Sequence, residues 1–335
     1  MKQGFLLFAA GVVLSALCAD GAPTTAETGQ FIKHAVLKGE TVSLICIDRI
    51  GYWSSDLGKA ISHDNPGIKN INLIFPGQTL VLRNPNYKSE KPASAQSQTQ
   101  SQAPVAERTA PASQGVVTWV DGNAQIVPKG QTSKQKLSVN TIVYPGDVII
   151  TLAGSRVEII IDRETVLRLK ENTRLTLEAF RDNAATSSKT KVGFTIGSVW
   201  AKMKRFRDKV TRFDLELPTA IAGVHGTVYQ ASIDKDSSSE VMVYTGEVGV
   251  KNNPDLHASG GGEVGEVSGP GEVAGPSEVS MEQWTAIVRD MQKISIDKKG
   301  KPKPVEAFKK NESDSWEKWN EERDKRIAEM FEEND

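Results

Sequence analysis

Hydrophobic and polar residues alternate through the middle of the chain. The alternating segments are short and follow one another closely, at 148–151, 157–161, 166–170, 173–177, 193–200 and 213–217. Because successive side chains of a strand point to opposite faces of a sheet, this period predicts strands with one buried face. Many short strands with polar turns between them indicate an all-β domain, built either as a β-roll or solenoid-like stack or as a sandwich.

The segment before this region, residues 34–82, has a different pattern. Two turn signals divide it, one at 38–41 that contains glycine and one at 75–78 with adjacent proline and glycine. Thr41 can accept a hydrogen bond from the first amides of a helix, and apolar, β-branched residues follow the second turn. The pattern predicts a strand, two short helices and a second strand.

Near the carboxyl end the apolar residues follow a helical period. Trp284, Ile287, Val288 and Met291 are spaced i, i+3, i+4 and i+7, and a densely charged segment with a sparse apolar seam follows. This spacing predicts helices. We expect residues 281–335 to form a charged helical tail that either packs on the β domain or binds a partner.

Two stretches of low complexity separate these regions. Residues 86–114 are rich in Ser, Gln and Pro, and residues 254–280 repeat Glu-Val pairs among Gly and Pro. Neither stretch has the apolar residues needed for a core, so both are expected to be flexible linkers. The predicted order is a module at 31–85, a β domain at 115–253 and the helical tail.

Residues 1–19 have the pattern of a secretion signal, with Lys2 ahead of an apolar run. The run is shorter than the roughly 20 residues that span a bilayer, so cleavage is expected rather than an uncleaved anchor. Cys18 offers the alternative of a lipoprotein, although Leu17 stands where lipoprotein signals carry a small residue. The protein is then periplasmic or secreted, with no transmembrane span after cleavage.

Charge and cysteine content narrow the classes of partner and fold. Lys and Arg number 41 against 42 Asp and Glu, so the chain as a whole does not attract nucleic acid. A basic run at 202–212, behind a secretion signal, is expected to be a solvated hairpin or to contact anionic wall surfaces. Two cysteines exclude a disulfide framework, and Cys46 in its apolar run is expected to be a buried, inert thiol.

Three motifs of the N-terminal segment resemble those of LysM peptidoglycan-binding modules: KGET at 38–41, NPGI at 65–68 and IFPGQTLVL at 74–82. His34 stands where a tyrosine is usual, and Asn72 where some relatives carry proline. The resemblance implies a βααβ fold whose two turns form a groove for the N-acetylglucosamine-containing glycan of peptidoglycan. The glycan-binding residues that it implies are Gly39, Glu40, Thr41, Val42, Asn65, Pro66, Ile74, Pro76 and Gly77.

Four motifs of the β region resemble those of FecR domains: YPGDVI at 144–149, GSVW at 197–200, LPTAIAGVHGTVYQA at 217–231 and YTGEV at 244–248. His225 stands where relatives usually carry arginine, and Gly223 and Gly226 are expected to permit close turns. The FecR name belongs to sensors that control sigma factors from across the inner membrane, so the resemblance implies protein–protein contact. We do not expect the cytoplasmic helical domain and membrane span of those sensors here.

The sequence lacks the motifs that would indicate catalysis. None of the four histidines has the spacing of a metal site such as HExxH, no GxSxG motif occurs, and the glycines of GGGEVGEVSG lack the flanking strand and helix of a nucleotide site.

We therefore interpret the chain as an exported, non-enzymatic envelope protein without metal or cofactor. In this interpretation the LysM-like module tethers a FecR-like scaffold to peptidoglycan, and that scaffold or the tail binds an envelope protein. Two alternatives are a cell-wall glycan hydrolase, since LysM modules are often attached to such enzymes, and a periplasmic signalling regulator.

Overall fold

The computed structural model describes residues 30–85, 114–161, 165–179, 189–203, 212–224, 226–253 and 284–332. The predicted signal peptide at 1–19, with Cys18, and nearly all of both predicted linkers lie outside these described residues. So do His225 and most of the basic run at 202–212.

The described residues form three helices, α1 (Val42–Arg49), α2 (Ser55–Asp64) and α3 (Ser315–Glu332). Two strands, β1 (Phe31–Ala35) and β2 (Thr79–Arg83), flank α1 and α2 in the chain. The other strands are β3 (Gly115–Asp121), β4 (Ala124–Val127), β5 (Gln135–Lys136), β6 (Ile142–Val143), β7 (Val148–Thr151), β8 (Arg156–Ile161), β9 (Thr165–Leu169), β10 (Arg174–Ala179), β11 (Lys189–Met203), β12 (Arg212–Glu216), β13 (Ala220–Val224), β14 (Val228–Ile233), β15 (Ser239–Thr245), β16 (Glu247–Asn252), β17 (Thr285–Arg289), β18 (Gln292–Ile296) and β19 (Glu306–Ala307).

In the N-terminal unit, residues 30–85, β1 and β2 form an antiparallel pair and both helices pack beside it. Thr41 Oγ1 accepts the N–H of Leu44 at 3.3 Å, and Ser54 Oγ accepts the N–H of Leu57 at 3.1 Å, so a hydroxyl caps each helix. The element order agrees with the turn pattern of the sequence. An order of elements does not by itself identify what a unit binds.

The β region, residues 114–307, is a curled sheet that forms two layers. One layer has the order β5-β4-β7-β10-β11-β12-β13-β16-β17, and the other has the order β6-β3-β8-β9-β11-β14-β15-β18-β19. Strand β11 belongs to both layers. It changes layer at Gly197, whose φ of 101° is a backbone conformation that glycine adopts without a steric cost.

The main hydrophobic core lies between the two layers. Ile159 and Leu167 come from one layer, Leu175 and Val192 come from the other, and all four are fully buried in one cluster. The alternating segments of the sequence thus correspond to strands with one face in this core. The layers face each other across shared apolar side chains and are continuous through β11, so the predicted β-rich domain is present as one curled sheet.

The predicted helix that begins near Trp284 is wrong. The segment forms the hairpin of β17 and β18, which adds β17 to β16 in one layer and β18 to β15 in the other. Val288 is fully buried while Ile287 is 43% exposed, as the two-residue period of a strand requires. A free sheet edge in each layer and the β-branched residues of the segment outweigh its helical spacing.

The charged end of the tail is helix α3, as predicted, and it packs on the β region. Trp316 is 1% exposed, and its indole Nε1 donates to Gln230 Oε1 at 3.0 Å. Ile327 and Met330 share a second buried cluster with α1 of the N-terminal unit and with β8 and β9. In the described part of the chain, no helix is both long and apolar enough to cross a membrane.

Candidate functional site at the junction of the two units

The N-terminal unit lies directly against the β region, with Asn140 at the centre of the junction. The Asn140 Oδ1 atom accepts the N–H of Ser43 at 2.8 Å, and its backbone oxygen accepts the indole N–H of Trp53 at 2.9 Å. The Nδ2 atom donates to the Ile71 carbonyl and to Asn72 Oδ1. The two units that the sequence separates by a long linker are therefore docked on each other.

Helix α3 makes a second connection through Arg323, which is 5% exposed. The Nη1 atom of Arg323 donates to the carbonyl of Gly39 at 2.9 Å, in the first turn of the N-terminal unit. The same guanidinium lies 4.8 Å from the ring centroid of Trp119 in β3 and forms an ion pair with Glu158 in β8. One side chain thus joins the turn, the sheet and the helix.

Glu158 is the centre of a buried charge cluster. It accepts hydrogen bonds from both Arg323 and Arg168, and from the hydroxyl of Thr118 at 2.8 Å. Arg168 also forms an ion pair with Asp324 of α3 at 2.7 Å. Burial opposes the charge on Glu158, but the charges and hydrogen bonds of the two arginines outweigh it and lower the pKa of this carboxyl to about 2. Glu158 is therefore ionised at neutral pH.

A cavity of about 150 Å³ opens where the first turn, the loop after α2 and the β region meet. We call it the junction cavity. Its described lining residues are Glu40, Thr41, Ile71, Asn72, Leu73 and Ile74 of the N-terminal unit and Trp119, Val120 and Val139 of the β region. Three of the predicted glycan-binding residues, Glu40, Thr41 and Ile74, are therefore brought together in one place.

One carboxylate oxygen of Glu40 is hydrogen-bonded and the other is not. The Oε2 atom accepts the N–H of Leu37 at 2.7 Å and lies 2.8 Å from Nε2 of His34, whose ring is also buried. The Glu40 side chain is only 1% exposed, yet its buried Oε1 atom has no hydrogen-bond partner among the described residues. The buried indole Nε1 of Trp119 likewise has no such partner. Glu40 and Trp119 thus both line the junction cavity, while these two polar atoms are buried within the protein.

Two of the predicted glycan-binding residues are internal to the N-terminal unit. Val42 is fully buried in its core. The side chain of Asn65 donates to the carbonyls of Ile61 and Val81 and accepts the N–H of Val81, each at 2.8 Å. Asn65 thereby fixes the end of α2 to β2, which accounts for its position after the helix.

Of the other predicted residues, Gly39, Pro76 and Gly77 lie in the two turns and Pro66 lies just after α2. Pro66, Pro76 and Gly77 are exposed and do not line the junction cavity. Gly77 has a φ of 86° and Gly39 has a φ of 84°, so both turns use the left-handed conformation that favours glycine. Gly39 stands at the junction, where its carbonyl is bound by Arg323.

Sequence reasoning did not select His34, Leu73, Trp119 or Val139 for this site. For His34 the sequence does contain an indication, because the two-residue period of β1 places His34 on the same buried face as Ile32. Trp119 and Val139 carry no local signal, because they belong to the β region and reach the turn only through docking.

The FecR-like motifs shape turns in the β region. The carboxylate of Asp147 accepts the N–H groups of Tyr144 and Lys129, each at 2.9 Å, and so fixes the turn before β7. Gly226 and Gly246 have φ values of 68° and 94°. Among the described residues, no three His, Cys, Asp or Glu side chains are grouped as they would be to hold a metal ion.

Comparison with known proteins agrees with this part of the chain. The family described as FecR protein matches residues 147–249. Two crystal structures of a candidate anti-sigma factor from Parabacteroides distasonis ATCC 8503, at 1.65 Å and 2.50 Å resolution, are each 15% identical with a TM-score of 0.33. Each alignment covers 49% of this chain and 60% of that chain. None of the curated proteins compared with the chain matches it. From the family match, residues 147–249 are a FecR domain.

Proposed function

We propose that the protein is a non-enzymatic regulator of the bacterial cell envelope, in which the N-terminal unit binds N-acetylated glycan and the FecR domain recognises a protein partner. The match of residues 147–249 to the FecR family supports the regulatory role. The LysM-like motifs and the junction cavity support the glycan-binding role. The observation that carries the glycan proposal is the meeting of Glu40, Thr41 and Ile74 at one cavity, where the first turn and the loop after α2 face the β region.

The lining of the junction cavity suits an N-acetyl sugar better than a charged ligand. Ile71, Ile74 and Val139 offer apolar contacts for a methyl group, and Glu40, Thr41 and Asn72 add polar side chains to the lining. Sites for small ligands commonly combine an apolar lining with a few fixed polar groups.

We place the protein in the periplasm or outside the cell on the basis of its predicted signal peptide.

The docking of the units supports regulation over simple tethering. The first turn of the N-terminal unit is bonded through Arg323 to Glu158, and Glu158 lies in β8, within the FecR-matched residues 147–249. A ligand that binds one conformation of this turn more tightly than another favours that conformation, and so changes how the turn packs against the FecR domain. The hydrolase alternative gains no support here, because the junction cavity is lined by one carboxylate and glycoside hydrolysis ordinarily uses a pair.

The glycan proposal is tested by co-sedimentation of the full chain with purified peptidoglycan. Leu73 lines the junction cavity and is 58% exposed, while Phe75 is 54% exposed in the same loop and does not line the cavity. We expect the unaltered protein and Phe75→Asp to pellet, and Leu73→Asp to pellet at least several-fold less. If the unaltered protein stays in the supernatant, or if both variants pellet equally, glycan binding at this cavity is refuted.

The regulatory proposal requires a different measurement. Deleting the gene should change the transcription of a defined set of envelope genes, and expression of the full chain should restore it. An unchanged transcript profile under envelope stress would contradict a regulatory role and leave the scaffold interpretation.

A further inference from the structure

We propose that the glycan at the junction cavity continues into a second, larger cavity beside α2, so that the site binds several consecutive sugar units of one chain. We call this second cavity, of about 360 Å³, the α2 cleft. Its lining includes Ser55, Lys59 and Ser62 of α2, Asn72 of the following loop and Thr141 of the β region. The inference rests on the proposed glycan function, and it adds a binding surface on α2 that the turn motifs do not include.

The α2 cleft lies next to the junction cavity. Ile71, Asn72 and Val139 line both cavities. The common wall forms where the loop after α2 meets Asn140, whose Nδ2 atom donates to the Ile71 carbonyl at 3.2 Å and to Asn72 Oδ1 at 2.7 Å. Asn72 itself is exposed, so a chain that fills the junction cavity can pass over this residue into the α2 cleft.

The volumes of the two cavities indicate that the junction cavity is the smaller part of the site. Sites for small ligands commonly have volumes of about 300–1,000 Å³. The junction cavity, at about 150 Å³, is below this range, and the α2 cleft, at about 360 Å³, is within it. Together they accommodate a longer stretch of glycan than the junction cavity alone.

The accessible side chains of the α2 cleft suit a ligand that is rich in hydroxyl groups. Ser55 and Ser62 are exposed, and Thr141 is half-buried. A side-chain hydroxyl both donates and accepts hydrogen bonds, so it pairs with a sugar hydroxyl in either direction. Ile71 and Val139 are half-buried and offer apolar contacts for the C–H groups of a sugar ring.

The charges at the α2 cleft give no preference for an anionic ligand. Among the described lining residues Lys59 alone is charged, and its Nζ atom lies 2.9 Å from Oδ1 of Asp56. Since these two opposite charges lie side by side on the surface of α2, they add no net charge. An uncharged chain of N-acetylglucosamine therefore fits the cleft better than an acidic polymer.

The test is isothermal titration of the full chain with the dimer and with the hexamer of N-acetylglucosamine. Ser62→Trp places a large ring in the cleft from an exposed helix position. His63→Trp is the matched control, because the His63 side chain is 84% exposed and does not line the cleft. We expect Ser62→Trp to weaken binding of the hexamer about tenfold and binding of the dimer less than about twofold. We expect His63→Trp to change neither.

The comparison between variants controls for chain length itself. A hexamer offers more binding registers than a dimer and so binds more tightly wherever the site lies. This advantage is the same in both variants, so a loss that is confined to the hexamer in Ser62→Trp reports contacts in the α2 cleft.

The outcomes separate this inference from the function on which it rests. If the unaltered protein binds the hexamer and Ser62→Trp binds it equally well, the α2 cleft is excluded from the site while glycan binding stands. The inference also fails if Ser62→Trp weakens the dimer as much as the hexamer, or if His63→Trp weakens the hexamer to the same degree. If the unaltered protein binds neither oligomer, the glycan proposal fails and the inference fails with it. Circular dichroism checks that each variant is folded, and Ser55→Trp repeats the test from another exposed position in the cleft.

Discussion

Replacing Arg323 with methionine removes the charge that joins α3 to both units. The substitution keeps an unbranched apolar side chain on the helix, so it tests the charge and its hydrogen bonds more than the packing. It removes the bonds from Arg323 to Glu158 and to the carbonyl of Gly39, together with the contact on the Trp119 ring. It leaves Glu158 with Arg168 as its charged partner and with the hydrogen bond from the Thr118 hydroxyl.

The expected loss of stability follows from the burial of this cluster. Removing one partner of a buried ion pair costs about 3–5 kcal/mol, because the other charge is left buried without its counter-charge. Glu158 is fully buried and Arg323 is 5% exposed, so this range applies. Since Arg168 still neutralises part of the charge, we expect the lower end, a loss of about 3 kcal/mol in the free energy of unfolding.

Urea unfolding at pH 7, followed by circular dichroism, measures the loss. Lys325→Met is the matched control on the same helix, because the Lys325 side chain is 81% exposed, and we expect it to change stability by less than about 0.5 kcal/mol. Hydrogen exchange at the 38–41 turn should also increase in Arg323→Met. A loss of under about 1 kcal/mol for Arg323→Met would show that the cluster does not hold the junction together.

Three further predictions test other parts of the structure. Folding lowers the pKa of Glu158 from 4.5 to about 2, so its ionised form adds about 3 kcal/mol to the free energy of unfolding above pH 4.5, and this stabilisation is lost as the pH falls toward 2. The free energy of unfolding should therefore fall less between pH 7 and pH 3 in Arg323→Met than in the unaltered protein. Equal slopes of stability against pH in the two proteins would contradict this. Trp316→Ala should destabilise the protein by about 3–5 kcal/mol because the ring is 1% exposed, and Trp316→Phe should destabilise it by less. If the thermal unfolding midpoint is unchanged in both variants, a structural role for the α3 contact is excluded. Burial raises the pKa of the Cys46 thiol, so iodoacetamide at pH 8 should label this residue only after denaturation; peptide mass spectrometry that finds equal labelling of the folded protein would contradict its burial.

The sequence predicted the elements whose signals are local. Two-residue alternation gave strands at 148–151 and 157–161, which are observed as β7 and as most of β8. Gly39 and Gly77 marked the two turns, and both have the positive φ that such turns require. The helical spacing from Trp284 was misleading, because the same apolar positions also suit a strand and the open edges of two sheet layers decided between them.

The candidate site was predicted only in part. Glu40, Thr41 and Ile74 were identified from motifs in the turns, and they meet at the junction cavity. Nothing near Trp119 in the chain indicates that it lies in the same cavity, since its neighbours follow the ordinary pattern of a strand. Its place depends on how the β region docks on the N-terminal unit.

The sequence by itself determined the strands, the turns and the charged helix, because each depends on residues close together in the chain. Only the tertiary structure decided that the two units are docked and that Arg323 reaches the carbonyl of Gly39, 284 positions away. Many arginines have the charge to bind Glu158. Arg168 faces it as the cross-strand partner in β9, and Arg323 reaches it because α3 packs across these strands. Long-range packing brings residues of both units to a single cavity, and the periodicity of the chain does not indicate which residues meet there.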